Sequence, residues 1–319
     1  MKIVVLERNS VGTDISIEGI TSLGEAVVYP NTVADEVVER IHDAEIIVAN
    51  KVPLNESTLK DAPNVKLICE FATGFDNVDI AYCRSRGIKV ANIVGYSTDS
   101  VAQHTFALCL YVLEKLKRYD DYVKSGTYAA QSRFSNFDLP FFELAGKTWG
   151  IVGMGNIGRK VAQIAAAFGC RVIFYSVTGK SSCTDYERVD FDTLLAESDV
   201  LSLHCPLSDL TRHLINKEAL KKMKSSAVLV NVARGPVVCD EDLYEALVEG
   251  EIAGAGLDVT STEPMKEFNP LSRIQDSSRL IITPHMAWAS VEARIRCVNE
   301  TAENIKAFLS GENRNIVNL

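Results

Sequence analysis

The sequence predicts an α/β protein that consists of two domains, each with a parallel sheet covered by helices. Three observations support this: the chain has 319 residues, short apolar runs alternate with amphipathic segments, and the apolar runs are continuous. A chain of this length is long enough to form two domains of ordinary size, and the alternation of strands and helices is typical of parallel sheets. Continuous apolar strands indicate that helices cover both faces of each sheet.

The first series of strands is rich in β-branched and apolar residues, and helical segments lie between the strands. Strands are predicted at 2–7, 25–29, 45–49, 66–71 and 88–92, with helices at 33–41 and 77–86. A long helix is then predicted from Ser97 to about Arg118, and Ser97 and Thr98 are suited to cap its start. The repeat of strand and helix predicts a first βα domain.

The second series begins after that long helix and has the same alternation. Strands are predicted at 148–153, 170–176, 199–205, 227–233, 254–259 and 279–285, and helices at 156–168, 191–198, 217–223, 241–250 and 290–309. We therefore expect two Rossmann/flavodoxin-like βα-repeat domains with an interdomain cleft. The substrate domain is predicted at 1–98 plus 291–319, and the dinucleotide-binding domain at 99–290. Such a cleft is a favoured small-ligand site, and hinge closure excludes water from it.

Composition and charge argue against nucleic-acid and membrane partners. The formal net charge is −9, and an acidic protein gains nothing from the counterion release that drives binding to phosphate backbones. The N-terminal MKIVVLERNS has too short an apolar run for a signal peptide, and no segment reaches the length of a membrane span. The eight cysteines form no CxxC pair, and no cluster has metal-ligand spacing. We expect a cytoplasmic protein with reduced thiols, a small-molecule partner and no metal.

A glycine triplet, GMGNIG, lies between a predicted strand and a predicted helix. In this context Gly153 permits a tight turn, Gly155 lets a pyrophosphate approach, and Gly158 lets the helix pack close to the strand. Asn156 and Ile157 open the helix, whose N-terminus favours phosphate charge. The pattern predicts a nicotinamide dinucleotide, NAD(H) or NADP(H); the alternative is a glycine-rich turn without a ligand.

The end of the second strand of this domain departs from the NAD pattern. An acidic residue is expected there to bind the adenosine ribose, and this chain has Ser176 instead. A carboxylate would repel a 2′-phosphate, whereas Ser176 would not, and Lys180 and Ser181 follow closely enough to contact that phosphate. We therefore predict that NADP(H) is tolerated or preferred; the alternative is that Lys180 is a solvated loop charge.

Three polar residues follow late predicted strands, at the end of the sheet where α/β proteins build their sites. Arg234 suits a substrate carboxylate because its planar fork matches that group. His285 suits proton transfer near neutral pH, and a carboxylate such as Glu263 would orient it. The pattern predicts hydride transfer to a 2-oxo acid. Taken singly, each residue is better explained without catalysis: Arg234 by a surface ion pair, Glu263 by a turn and His285 by a buried core histidine.

The chain resembles the D-isomer-specific 2-hydroxyacid dehydrogenase family along essentially its whole length. The matching stretches are GKTWGIVGMGNIGRKVA, HCPLSDLTRHLI, NVARGPVV, AGAGLDVTSTEP and TPHMAWAS. The resemblance implies that Arg234 binds and polarises the substrate, that Glu263 pairs with the acid–base His285, and that the product has D stereochemistry. It also implies backbone contacts to the substrate carboxylate at Thr73 and Gly74.

The same resemblance implies further cofactor contacts and an assembly. It places Asp258 near the nicotinamide and the turn of His204, Cys205 and Pro206 near the adenine. Two residues beside Arg234 are also expected to line the cofactor, and these are Val232 and Ala233. Members of the family form homodimers through the cofactor domain, so a homodimer is expected here.

Substrate identity depends on Trp288, which replaces a small residue common in the family. HMAWAS is similar to the motif of hydroxypyruvate-reducing (glycerate dehydrogenase) members, which implies reduction of hydroxypyruvate or glyoxylate to D-glycerate or glycolate. A bulkier 2-oxo acid stays open, as does simple packing of Trp288. A different class also stays open, because some relatives are non-catalytic, dinucleotide-sensing corepressors.

Overall fold

The computed structural model describes residues 1–319. By its internal contacts the chain divides into two compact units: Met1–Ser97 with Trp288–Leu319, and Thr98–Ala287. The sequence predicts that one domain binds the substrate and the other the dinucleotide. These roles, and the domain boundaries given with them, stay predictions. No helix combines the length and the apolar character that crossing a membrane requires.

The first unit contains a five-stranded parallel sheet in the order β2-β1-β3-β4-β5. The strands are β1 (Lys2–Val5), β2 (Glu25–Val28), β3 (Ile46–Ala49), β4 (Leu67–Glu70) and β5 (Lys89–Ala91). The helices are α1 (Glu18–Thr21), α2 (Val37–Ile41), α3 (Glu56–Leu59), α4 (Ile80–Ser85) and the C-terminal α11 (Val291–Leu309). Two 3₁₀ turns lie at Arg8–Val11 and Ala34–Glu36.

Helices cover both faces of this sheet, as the continuous apolar strands predict. On one face Ile20 of α1 and Ile305 of α11 pack with Ile3 of β1. On the other face Leu59 of α3 packs in a cluster with Ile47 of β3. The loops that follow the carboxyl ends of the strands are therefore attached to a sheet that is packed on both faces.

The second unit contains a seven-stranded parallel sheet in the order β12-β11-β10-β9-β6-β7-β8. The strands are β6 (Thr148–Val152), β7 (Arg171–Tyr175), β8 (Glu187–Arg188), β9 (Val200–Leu203), β10 (Val228–Asn231), β11 (Gly254–Leu257) and β12 (Leu280–Ile282). The helices are α5 (Thr98–Leu113), α6 (Leu116–Lys124), α7 (Asn156–Ala167), α8 (Phe191–Glu197), α9 (Lys217–Lys222) and α10 (Asp240–Glu249). Two 3₁₀ turns lie at Gly235–Val237 and Pro270–Arg273.

This sheet is also buried on both faces. Helices α5 and α7 cover one face, where the fully buried Trp149 stacks on Phe106 with a distance of 4.5 Å between ring centroids. Helices α8, α9 and α10 cover the other face, with Leu194, Leu220 and Leu243 in its core. The two all-parallel sheets confirm the predicted α/β fold class.

Two details of the second unit differ from the predictions. The single helix predicted from Ser97 to about Arg118 is wrong, because Lys115 adopts a left-handed conformation (φ 57°) that separates α5 from α6. The two-residue strand β8 at the edge of the sheet was not predicted, since two charged residues give no strand pattern.

Candidate active site

The glycine turn lies between β6 and α7. Gly153 has φ +92°, and a Cβ there would come within 2.9 Å of the backbone of His204 and Cys205. A Cβ at Gly158 would come within 2.2 Å of the carbonyl oxygen of Gly153. The packing of the chain itself therefore requires glycine at these two positions.

Gly155 is different, because a Cβ there would meet nothing within 4 Å. It is the N-cap of α7, and no side chain caps this helix. Helix α7 therefore begins at an exposed position, where the amides of Asn156 and Ile157 carry the partial positive charge of an uncapped helix N-terminus. This open cradle fits the pyrophosphate of a dinucleotide.

The turn after β7 carries the residues that would meet the adenosine ribose. Ser176 is buried, and its Oγ accepts a hydrogen bond from the amide of Ser181 at 3.3 Å. Lys180 is exposed on the same turn. Arg188 of β8 adds a second cation, since its Nη1 donates to the carbonyl oxygen of Gly179 at 2.9 Å. Sequence reasoning missed Arg188, because β8 is too short to be recognised from the sequence.

The predicted adenine-side turn follows β9. Trp149 Nε1 donates to Ser202 Oγ at 2.9 Å, and Ser202 Oγ lies 3.0 Å from His204 Nε2. Burial lowers the pKa of His204 to about 3 and raises the pKa of Cys205 to about 11. His204 is therefore neutral, and Cys205 is a thiol with no nucleophilic character at neutral pH. Pro206 is exposed at the end of this turn.

The loop after β10 carries Arg234, with Val232 and Ala233 before it. The side chain of Asn231 fixes this loop, because it accepts from the Ala233 amide and donates to the Arg234 carbonyl oxygen, both at 3.0 Å. The next residue, Gly235, packs directly on the backbone of the loop after β11: a Cβ at Gly235 would lie 1.7 Å from the carbonyl oxygen of Thr260. This close backbone contact brings the Arg234 loop against the loop that carries Glu263.

Glu263 and His285 are in direct contact. Glu263 Oε2 lies 2.6 Å from His285 Nδ1, and Glu263 Oε1 accepts from the amide of Thr260 at 3.3 Å. Both side chains are about one-third exposed, at 35% and 28%. Because the Glu263 carboxylate can only accept a hydrogen bond, Nδ1 of His285 must carry the hydrogen in this contact. The other ring nitrogen, Nε2, is then left to face a substrate.

Asp258 follows β11 and is 1% exposed. Its Oδ1 accepts from the amide of Met286 and its Oδ2 from the amide of Ala287, both at 2.8 Å. Thr283 Oγ1 donates to Oδ1 at 2.6 Å. Burial would raise the pKa of Asp258, but these bonds and one from His104 outweigh burial and lower the pKa. The carboxylate is thus ionised and holds the chain around His285; its predicted contact with the nicotinamide stays a prediction.

Sequence reasoning missed His104 and Thr283. Nε2 of His104 lies 2.9 Å from Thr283 Oγ1, although the two residues are 179 positions apart in the chain. A histidine inside an amphipathic helix gives no sequence signal for such a contact.

Three predicted substrate contacts, Thr73, Gly74 and Trp288, belong to the first unit. Thr73 and Gly74 follow β4. The hydroxyl of Thr73 donates to the carbonyl oxygen of Ile93 at 2.6 Å, and its own carbonyl oxygen accepts from Asn92 Nδ2 at 2.7 Å, so the backbone amide is the donor left for a ligand. Trp288 is half-buried and meets Tyr96 edge-on, with 6.2 Å between ring centroids.

Similar proteins are known over the whole chain. The model of the family described as "D-isomer specific 2-hydroxyacid dehydrogenase, NAD binding domain" matches residues 106–287. A hydroxypyruvate reductase from Blautia hydrogenotrophica is 39% identical over 100% of this chain and 100% of that protein. A glycerate dehydrogenase from Methylorubrum extorquens is 39% identical over 99% of this chain and 98% of that protein. The solved structure of an acyclic imino acid reductase in complex with NADPH and D-arginine has a TM-score of 0.88 and 29% identity, over 99% of this chain and 100% of that one.

These similarities agree with the geometry of the second unit. The family model covers more than half of the chain and includes the glycine turn, Arg234, Glu263 and His285. The two relatives match it from end to end. The chain binds a nicotinamide cofactor. It is an oxidoreductase and belongs to the D-isomer specific 2-hydroxyacid dehydrogenase family.

Proposed function

We propose that this chain reduces hydroxypyruvate or glyoxylate to D-glycerate or glycolate. The observation that carries the proposal is the 2.6 Å contact between His285 Nδ1 and Glu263 Oε2. A carboxylate in this position orients the imidazole and fixes which ring nitrogen faces a substrate, so Nε2 is the nitrogen placed to donate a proton. The hydroxypyruvate reductase and the glycerate dehydrogenase described above support this choice of substrates.

Each side chain has one task in the proposed reaction. Arg234 binds the substrate carboxylate with its planar fork. The bound reduced nicotinamide supplies a hydride to C2 of the 2-oxo acid. As the C2–H bond forms, the electron pair of the carbonyl bond moves to oxygen, and His285 donates its Nε2 proton there. Glu263 accepts from Nδ1 of His285 and so keeps Nε2 directed at the substrate.

We also propose that NADP(H) is tolerated or preferred as the cofactor. Ser176 places no carboxylate at the end of β7, where one would repel a 2′-phosphate. Two cations, Lys180 and Arg188, lie on or against the turn that follows. The reductase with bound NADPH and 29% identity supports the proposal.

Finally, we propose a homodimer formed through the dinucleotide-binding unit. A segment of this unit between residues 116 and 141 exposes large apolar side chains, which monomeric proteins rarely group together. The most exposed are Val123 (55%), Phe134 (88%), Phe137 (74%) and Phe141 (56%). The cytoplasm stays our prediction for location, because all eight cysteines are free thiols.

The proposal is tested by steady-state oxidation of NADH and NADPH with a panel of 2-oxo acids. The panel contains hydroxypyruvate, glyoxylate, pyruvate and phenylpyruvate, and chiral chromatography identifies the product. We expect kcat/KM for hydroxypyruvate or glyoxylate to exceed that for phenylpyruvate by about 100-fold, which corresponds to about 2.7 kcal/mol. A preference for the bulky acid would show a different substrate and make Trp288 a packing residue. Cofactor binding without turnover of any acid would indicate a dinucleotide sensor.

A further inference from the structure

We propose that His104 and Thr283 are positioning residues that hold the chain around His285 in its working conformation by fixing Asp258. The inference rests on the proposed role of His285 as the proton donor. The carbonyl oxygen of Thr283 accepts from the amide of His285 at 3.0 Å, and the side chains of Thr283 and His104 act on Asp258, so the effect of both residues on His285 passes through the main chain.

The main chain at His285 needs such support. His285 has φ +52°, a left-handed backbone conformation that residues other than glycine rarely adopt. Its amide donates to the carbonyl oxygen of Asp258 at 2.8 Å, and the amides of Met286 and Ala287 donate to the two carboxylate oxygens of Asp258, each at 2.8 Å. Asp258 therefore binds three consecutive amides that begin at the proton donor.

The hydrogens of the network can be assigned one after another. The bonds that Asp258 accepts keep its carboxylate ionised, so it can only accept. Thr283 Oγ1, which lies 2.6 Å from Asp258 Oδ1, must then donate to it. The same hydroxyl is left with only lone pairs for His104, so Nε2 of His104 carries the hydrogen and donates to Thr283 at 2.9 Å. His104 Nε2 also lies 3.5 Å from Asp258 Oδ1, and the positive end of its N–H dipole stabilises the negative charge of this carboxylate.

Helix α5 contacts the same segment at its other end. Ser100 Oγ donates to the carbonyl oxygen of Ala287 at 2.6 Å. Ser100 and His104 are one helical turn apart and therefore lie on one face of α5. This face contacts both ends of the segment 283–287, and α5 itself is packed on the core of the sheet through Phe106 and Leu108.

The consequence for the reaction is geometric. Without the Thr283 hydroxyl, Asp258 loses its shortest side-chain hydrogen bond and His104 loses its acceptor at 2.9 Å, so the left-handed turn is held mainly by the amides that Asp258 binds. His285 then spends more time with Nε2 displaced from the substrate oxygen. A displacement of about 1 Å costs about 100-fold in rate, so proton donation should slow while binding of cofactor and substrate is largely kept.

The test compares Thr283→Val with Thr283→Ser in the full chain. Valine has the shape of threonine without the hydroxyl, whereas serine keeps the hydroxyl, so the pair isolates the proposed contact. We measure kcat and KM for hydroxypyruvate, the Kd for NADPH by its fluorescence, the solvent deuterium isotope effect on kcat, and Tm as a check on folding. His285→Gln serves as the reference for loss of the proton donor.

We expect Thr283→Val to lower kcat about 10- to 100-fold, with KM and cofactor Kd within about threefold of wild type. Its solvent isotope effect should rise, because proton donation becomes rate-limiting, and Thr283→Ser should restore both values. A Thr283→Val enzyme with wild-type kcat would overturn the inference, and so would a Thr283→Ser enzyme that is as impaired as Thr283→Val. In either case an inactive His285→Gln variant would leave the proposed function standing. A fully active His285→Gln would overturn both.

Discussion

Two histidines follow strands of the same sheet, and their surroundings give them opposite chemistry. His204 follows β9 and is partly buried; burial of its ring lowers its pKa to about 3, and its Nε2 lies 3.0 Å from the hydroxyl of Ser202. His285 follows β12 and lies 2.6 Å from Glu263. The sequence predicts both at the end of a strand, His204 as a cofactor contact and His285 as the acid–base. Only the three-dimensional contacts separate the neutral His204 from the proposed proton donor.

Residue 176 decides the predicted cofactor preference. Replacing Ser176 with Asp adds a carboxylate that binds ribose hydroxyls and repels a 2′-phosphate. We expect the ratio of kcat/KM for NADPH to that for NADH to fall about 100-fold, or about 2.7 kcal/mol. Lys180→Ala is the matched control and should weaken NADPH alone. An unchanged ratio in Ser176→Asp, or a wild-type enzyme that already prefers NADH by that factor, would contradict the cofactor proposal.

The buried carboxyl group of Glu70 is expected to make the free energy of unfolding depend on pH. It is fully buried; its Oε2 has no partner, and its Oε1 accepts from Asn77 Nδ2 at 3.3 Å. Burial, with a smaller contribution from the nearby Glu7, raises the pKa of Glu70 to about 8, although the hydrogen bond from Asn77 and the charge of Lys51 lower it. In the folded protein Glu70 is therefore protonated at pH values where the unfolded chain has already lost that proton.

The stability that this protonation provides is fully present below the unfolded pKa and is lost as pH rises through the folded pKa. Glu70→Gln removes the titration and keeps the shape. One pKa unit corresponds to about 1.4 kcal/mol, so between pH 5 and pH 9 the variant should gain about 2 kcal/mol or more relative to wild type. Urea unfolding at the two pH values measures this. Equal changes in both proteins would show that Glu70 titrates normally.

Among the elements, the β6–α7 turn shows how far a motif can be interpreted from sequence. The spacing predicted the turn, the helix start and the cofactor class. The structure adds that Gly153 and Gly158 are needed by the packing of the chain, whereas Gly155 is open. The motif alone could not make this distinction, because it depends on contacts with the loop after β9.

A pair of alanine variants separates these roles. Gly158→Ala places a Cβ against the Gly153 carbonyl oxygen and should destabilise the fold by about 1–3 kcal/mol. Gly155 has φ −81° and ψ −162°, which alanine adopts, so Gly155→Ala should keep Tm and weaken cofactor binding at least about tenfold by filling the cradle. Thermal unfolding and fluorescence titration with NADPH give both values. Wild-type affinity in Gly155→Ala would place the pyrophosphate elsewhere.

Other features of the elements could not be predicted. Nothing in the sequence marks Lys115 as the left-handed residue that ends α5, since glycine or asparagine is usual in that conformation. The contact between His104 of α5 and Thr283 after β12 depends on how a helix packs across the sheet. Hydrophobic periodicity defines which face of α5 is buried, but not which polar residue at its margin meets a loop.

For the molecule as a whole, strand order is the step between sequence and site. The sequence indicated that Arg234, Glu263 and His285 each follow a strand, and the carboxyl ends of parallel strands share one edge. It did not indicate that β10, β11 and β12 are neighbours, which the sheet order β12-β11-β10 shows. Adjacent strands bring the three loops together, and the contact of Gly235 with Thr260 completes the approach.

The proposed dimer is also tested on the whole chain. Phe134 and Phe137 are 88% and 74% exposed, so their replacement by serine removes apolar surface without opening a core. We expect the double variant Phe134→Ser/Phe137→Ser to sediment as a monomer at concentrations where wild type sediments as a dimer, with Tm lowered through mass action. Phe168→Ser, exposed at 44% on another part of the unit, is the control. A dimer that survives the double variant would place the interface elsewhere.

The central claim is that the His285–Glu263 pair donates the proton in reduction of a 2-oxo acid. The most direct measurement is single-turnover oxidation of NADPH by hydroxypyruvate in wild type and in His285→Gln, with cofactor Kd determined for both. The claim predicts that the variant binds NADPH with wild-type affinity and transfers hydride about 100- to 10,000-fold more slowly, the range for positioned proton transfer. A variant that reduces hydroxypyruvate at the wild-type rate would contradict it.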